Sequence, residues 1–176
     1  GPKLSWSRAG YSAAILFIFF VIQESAISKI NFPIAGFSLY LAVLLGFMAL
    51  EDQLGAIVLG FIGGLILDLS PSSDSPFGKW ALILTLVGYL ISRNRESIGD
   101  FTERPIIFVL FVSIGVAATL LTFLLFGTVL GENNGSMISN LQTISGNGIW
   151  TLLFSPILLP GIVKLRELTL TSRERI

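Results

Sequence analysis

Residues 60–89 read GFIGGLILDLSPSSDSPFGKWALILTLVGY, two strongly apolar runs joined by a short polar loop. The first run carries Gly60, Gly63 and Gly64 and closes on an acid, Asp68. Gly60, Gly64 and Asp68 are four residues apart, so a helix places them along one face. Glycine at that spacing lets a second backbone come close. In lipid, such close van der Waals contact replaces the hydrophobic force that drives packing in water. The reading is a closely packed pair of membrane helices with one carboxylate near the edge of the lipid. It points to a binding or scaffold protein more than to an enzyme.

The whole chain has the same character. Of its 176 residues 53% are hydrophobic and 12% are charged, and a typical soluble domain has about 25% charged residues. A bundle of membrane spans accounts for this better than one oversized soluble core. The net charge is zero, so no bulk basic surface recruits nucleic acid. Neither cysteine nor histidine occurs. Disulfides, thiolate nucleophiles, imidazole bases and the usual zinc and haem ligand sets are therefore excluded. A Ser-His-Asp triad cannot be built. Metal-ligand spacing and phosphate-binding glycine loops are also missing. No metal, cofactor or catalytic residue is expected.

A span needs about 20 apolar residues, within a range of about 17–25. Six candidates emerge, at about residues 9–27, 34–50, 53–69, 76–92, 105–130 and 149–165. Together they predict an all-α integral membrane bundle, a single domain over residues 1–176. The first run is too long for a signal-peptide core and is read as a retained helix. Residues 131–148 form a polar connection in which Met137, Ile138, Leu141 and Ile144 recur at helical spacing. A short surface helix and a disordered loop both fit that stretch. Pro156 and Pro160-Gly161 are expected to break or kink the last span.

With six spans, Lys3, Arg8, Arg93, Arg95, Arg104, Lys164, Arg166, Arg173 and Arg175 fall on one side, and only Lys29 and Lys79 on the other. Cytoplasmic loops carry such an excess, which predicts that both the N-terminus and the C-terminus are cytoplasmic. Trp80, Tyr89 and Trp150 fall near span ends, where amphipathic rings prefer to sit.

An acid inside a span is a functional hypothesis by default. Asp68 lies 15 residues beyond Gln53, or roughly 22 Å along a helix. That is near the outer boundary of a hydrocarbon core about 30 Å thick. Glu24 reaches a similar height, and Lys29 and Lys79 flank the same edge. Glu24, Lys29, Asp68 and Lys79 are therefore a candidate outer-leaflet polar cluster, the alternative being four separately solvated charges. Gly60, Gly63, Gly64 and Asp68 are the candidate surface for packing within the bundle or for binding a partner. The loop at 93–104, with three arginines and three acids, and the tail from Lys164 either grip lipid headgroups or dock a cytoplasmic protein.

One longer pattern is distinctive. It runs from Asn31-Phe32-Pro33 through the turn at Glu51-Asp52 to Gly55 and Gly60-x-x-Gly63-Gly64-Leu65-Ile66-Leu67-Asp68-Leu69, and on to Pro76-Phe77-Gly78 and Leu86-Val87-Gly88-Tyr89-Leu90. Over about residues 23–92 it resembles the bacterial rod shape-determining protein MreD family; the second half of the chain agrees in length and layout. The resemblance implies a non-enzymatic, multi-pass protein of the bacterial cytoplasmic membrane. Its partner would be the bitopic protein MreC. The complex would help to control the glycosyltransferase and penicillin-binding transpeptidase pair that builds peptidoglycan. Membrane lipids are implied neighbours, and self-association into a homo-oligomer is left open. The family also resembles, in its six helices, the substrate-binding S subunits of energy-coupling-factor vitamin transporters. That supplies the alternative reading. There Ala9-x-x-x-Ala13 would contact a coupling protein, and Asn140, Asn147 and Trp150 would line a vitamin pocket under residues 131–148.

Overall fold

The computed structural model describes residues 6–27, 37–70, 76–98, 104–131 and 135–169. All regular structure among them is helical. The six helices are α1 (Trp6–Ser25), α2 (Leu39–Leu50), α3 (Gln53–Asp68), α4 (Lys79–Ile98), α5 (Pro105–Val129) and α6 (Met137–Thr169). Successive helices from α2 onward run antiparallel. Tyr40 at the start of α2 meets Gly63 late in α3. Trp80 at the start of α4 stacks on Phe123 late in α5.

The centre of the bundle is α2. All twelve of its residues are buried, and large hydrophobic residues are exposed on each of the other five helices. A helix apolar all round must be enclosed on all sides. Its first turn is held at the N-terminus by two side chains. The Ser38 hydroxyl accepts from the Leu41 N–H at 3.2 Å, and Gln23 of α1 accepts from the Leu39 N–H at 2.8 Å. These satisfy donors that helix geometry leaves unpaired.

The outer helices have two faces. On α1, Ala9, Ser12, Leu16 and Phe20 point inward, while Tyr11, Phe17 and Ile18 are exposed. On α5, Phe108, Val112, Val116 and Thr119 are buried, while Ile106, Ile114 and Leu125 are exposed. The spacing of three and four residues is that of a helical stripe, but here both faces are apolar. Hydroxyls in these helices bond back to the carbonyl one turn earlier, as Ser113 does to Val109 at 2.9 Å and Thr119 to Gly115 at 2.7 Å. This is the local way to satisfy them in apolar surroundings.

Two helices, α5 and the Met137–Leu168 stretch of α6, are long and apolar enough to cross a membrane. Ala9–Ser25, α2 and α3 are apolar but shorter. Against the expected spans, α3 and α5 differ by a residue at most, whereas α1, α2, α4 and α6 are shifted. The expected start of α2 at 34 is corrected to Leu39, because Phe37 and Ser38 are not helical and Ser38 is the cap. Residues 28–36, with Lys29 and Asn31-Phe32-Pro33, lie outside the described residues.

The larger correction concerns α6. Neither the polar connection nor the prolines end it: one helix of 33 residues runs through Gly146, Gly148, Pro156 and Pro160. Of the two alternatives for residues 137–144 the helical one holds in part: they are helical, as the first turns of α6 and not as a separate short helix. Asn147 donates to the Thr143 carbonyl at 2.8 Å, and Ser155 donates to the Thr151 carbonyl. Both are bonds from a polar side chain to the carbonyl one turn earlier, the local way to satisfy it inside a helix.

Candidate functional site

The motif of α3 is used inside the chain. A Cβ added to Gly64 would lie 2.5 Å from the Ala81 Cα and 2.5 Å from the Trp80 carbonyl oxygen. One added to Gly60 would overlap the Leu84 carbonyl. From the other side, a Cβ on Gly88 of α4 would lie 2.6 Å from the Ala56 carbonyl oxygen. Backbone therefore rests on backbone along the α3–α4 contact, and only glycine fits. Gly63 faces a different neighbour. Its added Cβ would meet the Leu44 side chain at 2.6 Å, and its carbonyl accepts from the buried Tyr40 hydroxyl at 2.7 Å. The glycine face is thus covered by α4 and α2. Of its two expected uses, packing within the bundle is the one these contacts serve.

Asp68 completes the same hairpin. Its two carboxylate oxygens accept from the Trp80 and Ala81 N–H groups, each at 3.0 Å. The end of α3 is therefore the N-terminal cap of α4, supplied by a side chain twelve residues upstream of Trp80. A carboxylate there also meets the positive end of the α4 dipole. The turn between them includes Gly78, whose φ of +94° suits glycine.

The four residues of the expected outer cluster are not alike. Asp68 and Lys79 are both buried at the α3–α4 hairpin. The Lys79 ammonium sits 3.6 Å from the centroid of the Phe123 ring, against which Trp80 also stacks at 4.1 Å. A cation held on a ring face in a water-poor place gains more than one at a surface. Lys79 is thus not a separately solvated charge, the alternative to the cluster. Glu24 is exposed on the last turn of α1, and Lys29 lies outside the described residues.

At the opposite end of the bundle is a pair that the sequence did not suggest. Glu51, 1% exposed, accepts from Arg166 of α6 at 3.1 Å. Beside it, Asp52 caps α3 by accepting from the Gly55 N–H at 2.9 Å. The turn at 51–52 is thereby tied to a helix 115 residues away. No local signal could have revealed it. Also at this end, a cavity of about 580 Å³ opens between the start of α5 and the second half of α6. Pro105 and Val109 line one wall, and Leu152, Pro156, Pro160 and Val163 the other.

The features of the vitamin-transporter alternative fall elsewhere. Ala9 is buried and Ala13 half-buried, so this pair faces the bundle. Asn147 is buried and bonded within α6, and Trp150 stacks on Phe154 at 5.6 Å. Near them the Thr151 hydroxyl is buried without a hydrogen-bond partner. Among the described residues no group of acids that could hold a metal ion is found. Comparisons with family models, with curated proteins and with solved structures gave no significant match to this chain.

Proposed function

We propose that this chain is a non-catalytic scaffold of the bacterial cytoplasmic membrane. It crosses six times with both ends cytoplasmic and binds a bitopic, MreC-type partner in the machinery that elongates the cell wall. Through that complex it helps to regulate the synthase pair and thus cell shape. The observation that carries the reading is the α3–α4 hairpin. The residues behind the family resemblance, Gly60, Gly64, Asp68 and Gly88, are those that lock it. Glycine-mediated contact of this kind suits helices packed in lipid. The apolar outer faces of five helices around a buried α2 support the same reading. So does the gathering of Arg104, Lys164 and Arg166 at the end that holds the 51–52 turn.

Two measurements test it. The chain has no native cysteine, so single cysteines at Glu24 and Lys164 can be labelled in intact cells. Opposite accessibility, with Lys164 on the cytoplasmic side, is the expected result. Affinity purification of the full chain from native membranes should then recover an MreC-type protein in stoichiometric amount. Equal labelling of both positions from outside would refute the topology, and purification without that partner would refute the assignment.

A further inference from the structure

We propose that the cavity between α5 and α6 is a phospholipid site. It takes one acyl chain along the groove and holds an anionic headgroup at the rim. The inference rests on the membrane-spanning reading above, and three observations on the groove lead to it.

The first is length. On α6 the lining runs from Leu152 to Val163, eleven residues, or about 16 Å. That is about half of a hydrocarbon core roughly 30 Å thick, the depth of a single leaflet. The groove also starts at one end of the bundle, at Pro105 and Val163, and not at its middle.

The second is capacity. The cavity holds about 580 Å³, room for a single hydrocarbon chain. Three prolines, Pro105, Pro156 and Pro160, put apolar rings into its walls.

The third is charge at the rim. Arg104 immediately precedes the lining residue Pro105, and Lys164 immediately follows Val163; both are exposed. No side chain caps the start of α5, so its positive dipole end also faces the rim. Among the described residues the acid nearest these cations in sequence is Glu167, a turn beyond Val163 on α6; the two exposed cations outnumber it, and basic residues at a membrane surface attract anionic lipid.

The test uses the full chain, reconstituted into nanodiscs of equimolar phosphatidylglycerol and phosphatidylcholine. The retained lipid is then counted by native mass spectrometry after transfer to detergent. One phosphatidylglycerol per chain is expected, preferred at least five-fold over phosphatidylcholine. Changing Arg104→Glu and Lys164→Glu together should remove that preference, since each cation contributes about five-fold. Glu167→Gln should raise it. Filling the groove with Val109→Trp should abolish retention of either lipid. Circular dichroism and gel filtration check the fold, and the two exposed rim positions decide the matter if the tryptophan variant misfolds. Equal retention of both lipids, or retention unchanged by the rim variants, would overturn the proposal and leave the six-span reading standing. So would a co-purifying polypeptide in the groove with no lipid retained. A chain that does not enter the nanodisc would defeat both.

Discussion

Replacing Gly64 by alanine adds a single methyl group, and the α3–α4 contact leaves no room for it. Its Cβ would sit 2.5 Å from the Ala81 Cα and the Trp80 carbonyl oxygen, both backbone atoms. An ordinary contact is about 3.5–4.0 Å, so the helices must part by about 1 Å. Asp68 lies one turn further along α3. Its two bonds to α4, now 3.0 Å, would then lengthen towards the limit of a useful hydrogen bond. Overpacking costs about 1–3 kcal/mol. Weakening two charge-assisted bonds adds to this, each being worth about 1.5–3 kcal/mol when intact. The better helix propensity of alanine returns up to about 1 kcal/mol. The net loss should be about 2–4 kcal/mol. Reversible unfolding in mixed micelles, followed by tryptophan fluorescence, measures it. Gly10→Ala is the control, because a Cβ there meets nothing within 4 Å, and it should be neutral or stabilising. If Gly64→Ala matched Gly10→Ala, backbone contact between α3 and α4 could not be what holds the hairpin.

Three further outcomes follow from the same geometry. Asp68→Asn keeps one acceptor but turns an amide N–H₂ towards the second backbone donor, and should cost about 1.5–3 kcal/mol in the same assay. Arg166→Met should cost about 3 kcal/mol, because it leaves Glu51, 1% exposed, without its cation. Glu51→Gln should cost less, since Arg166 is 14% exposed and can turn outward. Tyr40→Phe removes the 2.7 Å bond to the Gly63 carbonyl and should lower stability by about 1 kcal/mol.

Some of this is readable from residues alone. The run from Pro105 is long, uninterrupted and apolar, which places α5 to within a residue. The polar turn at Glu51-Asp52 puts the start of α3 where it is, and the glycine spacing identifies a close helix contact. What the glycines touch is not readable: a smooth face looks the same whether a partner or the next helix covers it. The caps of α2 are hidden because Phe37 is as apolar as the helix that follows, and Gln23 acts from a different helix. In α6, proline and glycine read as breaks, as they would be in water. There the competing principle is that proline costs a helix one hydrogen bond without having to end it, and tertiary packing overrides local propensity. Glu51 and Arg166 are joined only by the fold.

The enclosure of α2 bears on how the molecule is made. Gly46 rests against Ile162 and Leu159, which belong to α6, more than a hundred residues later in the chain. In synthesis α2 therefore lacks its full set of neighbours until α6 has been translated. During that interval a twelve-residue segment, about 18 Å long, has no α6 against which to bury its apolar surface. Early arrival and late shelter make the nascent chain, more than the finished bundle, the form most exposed to quality-control proteases.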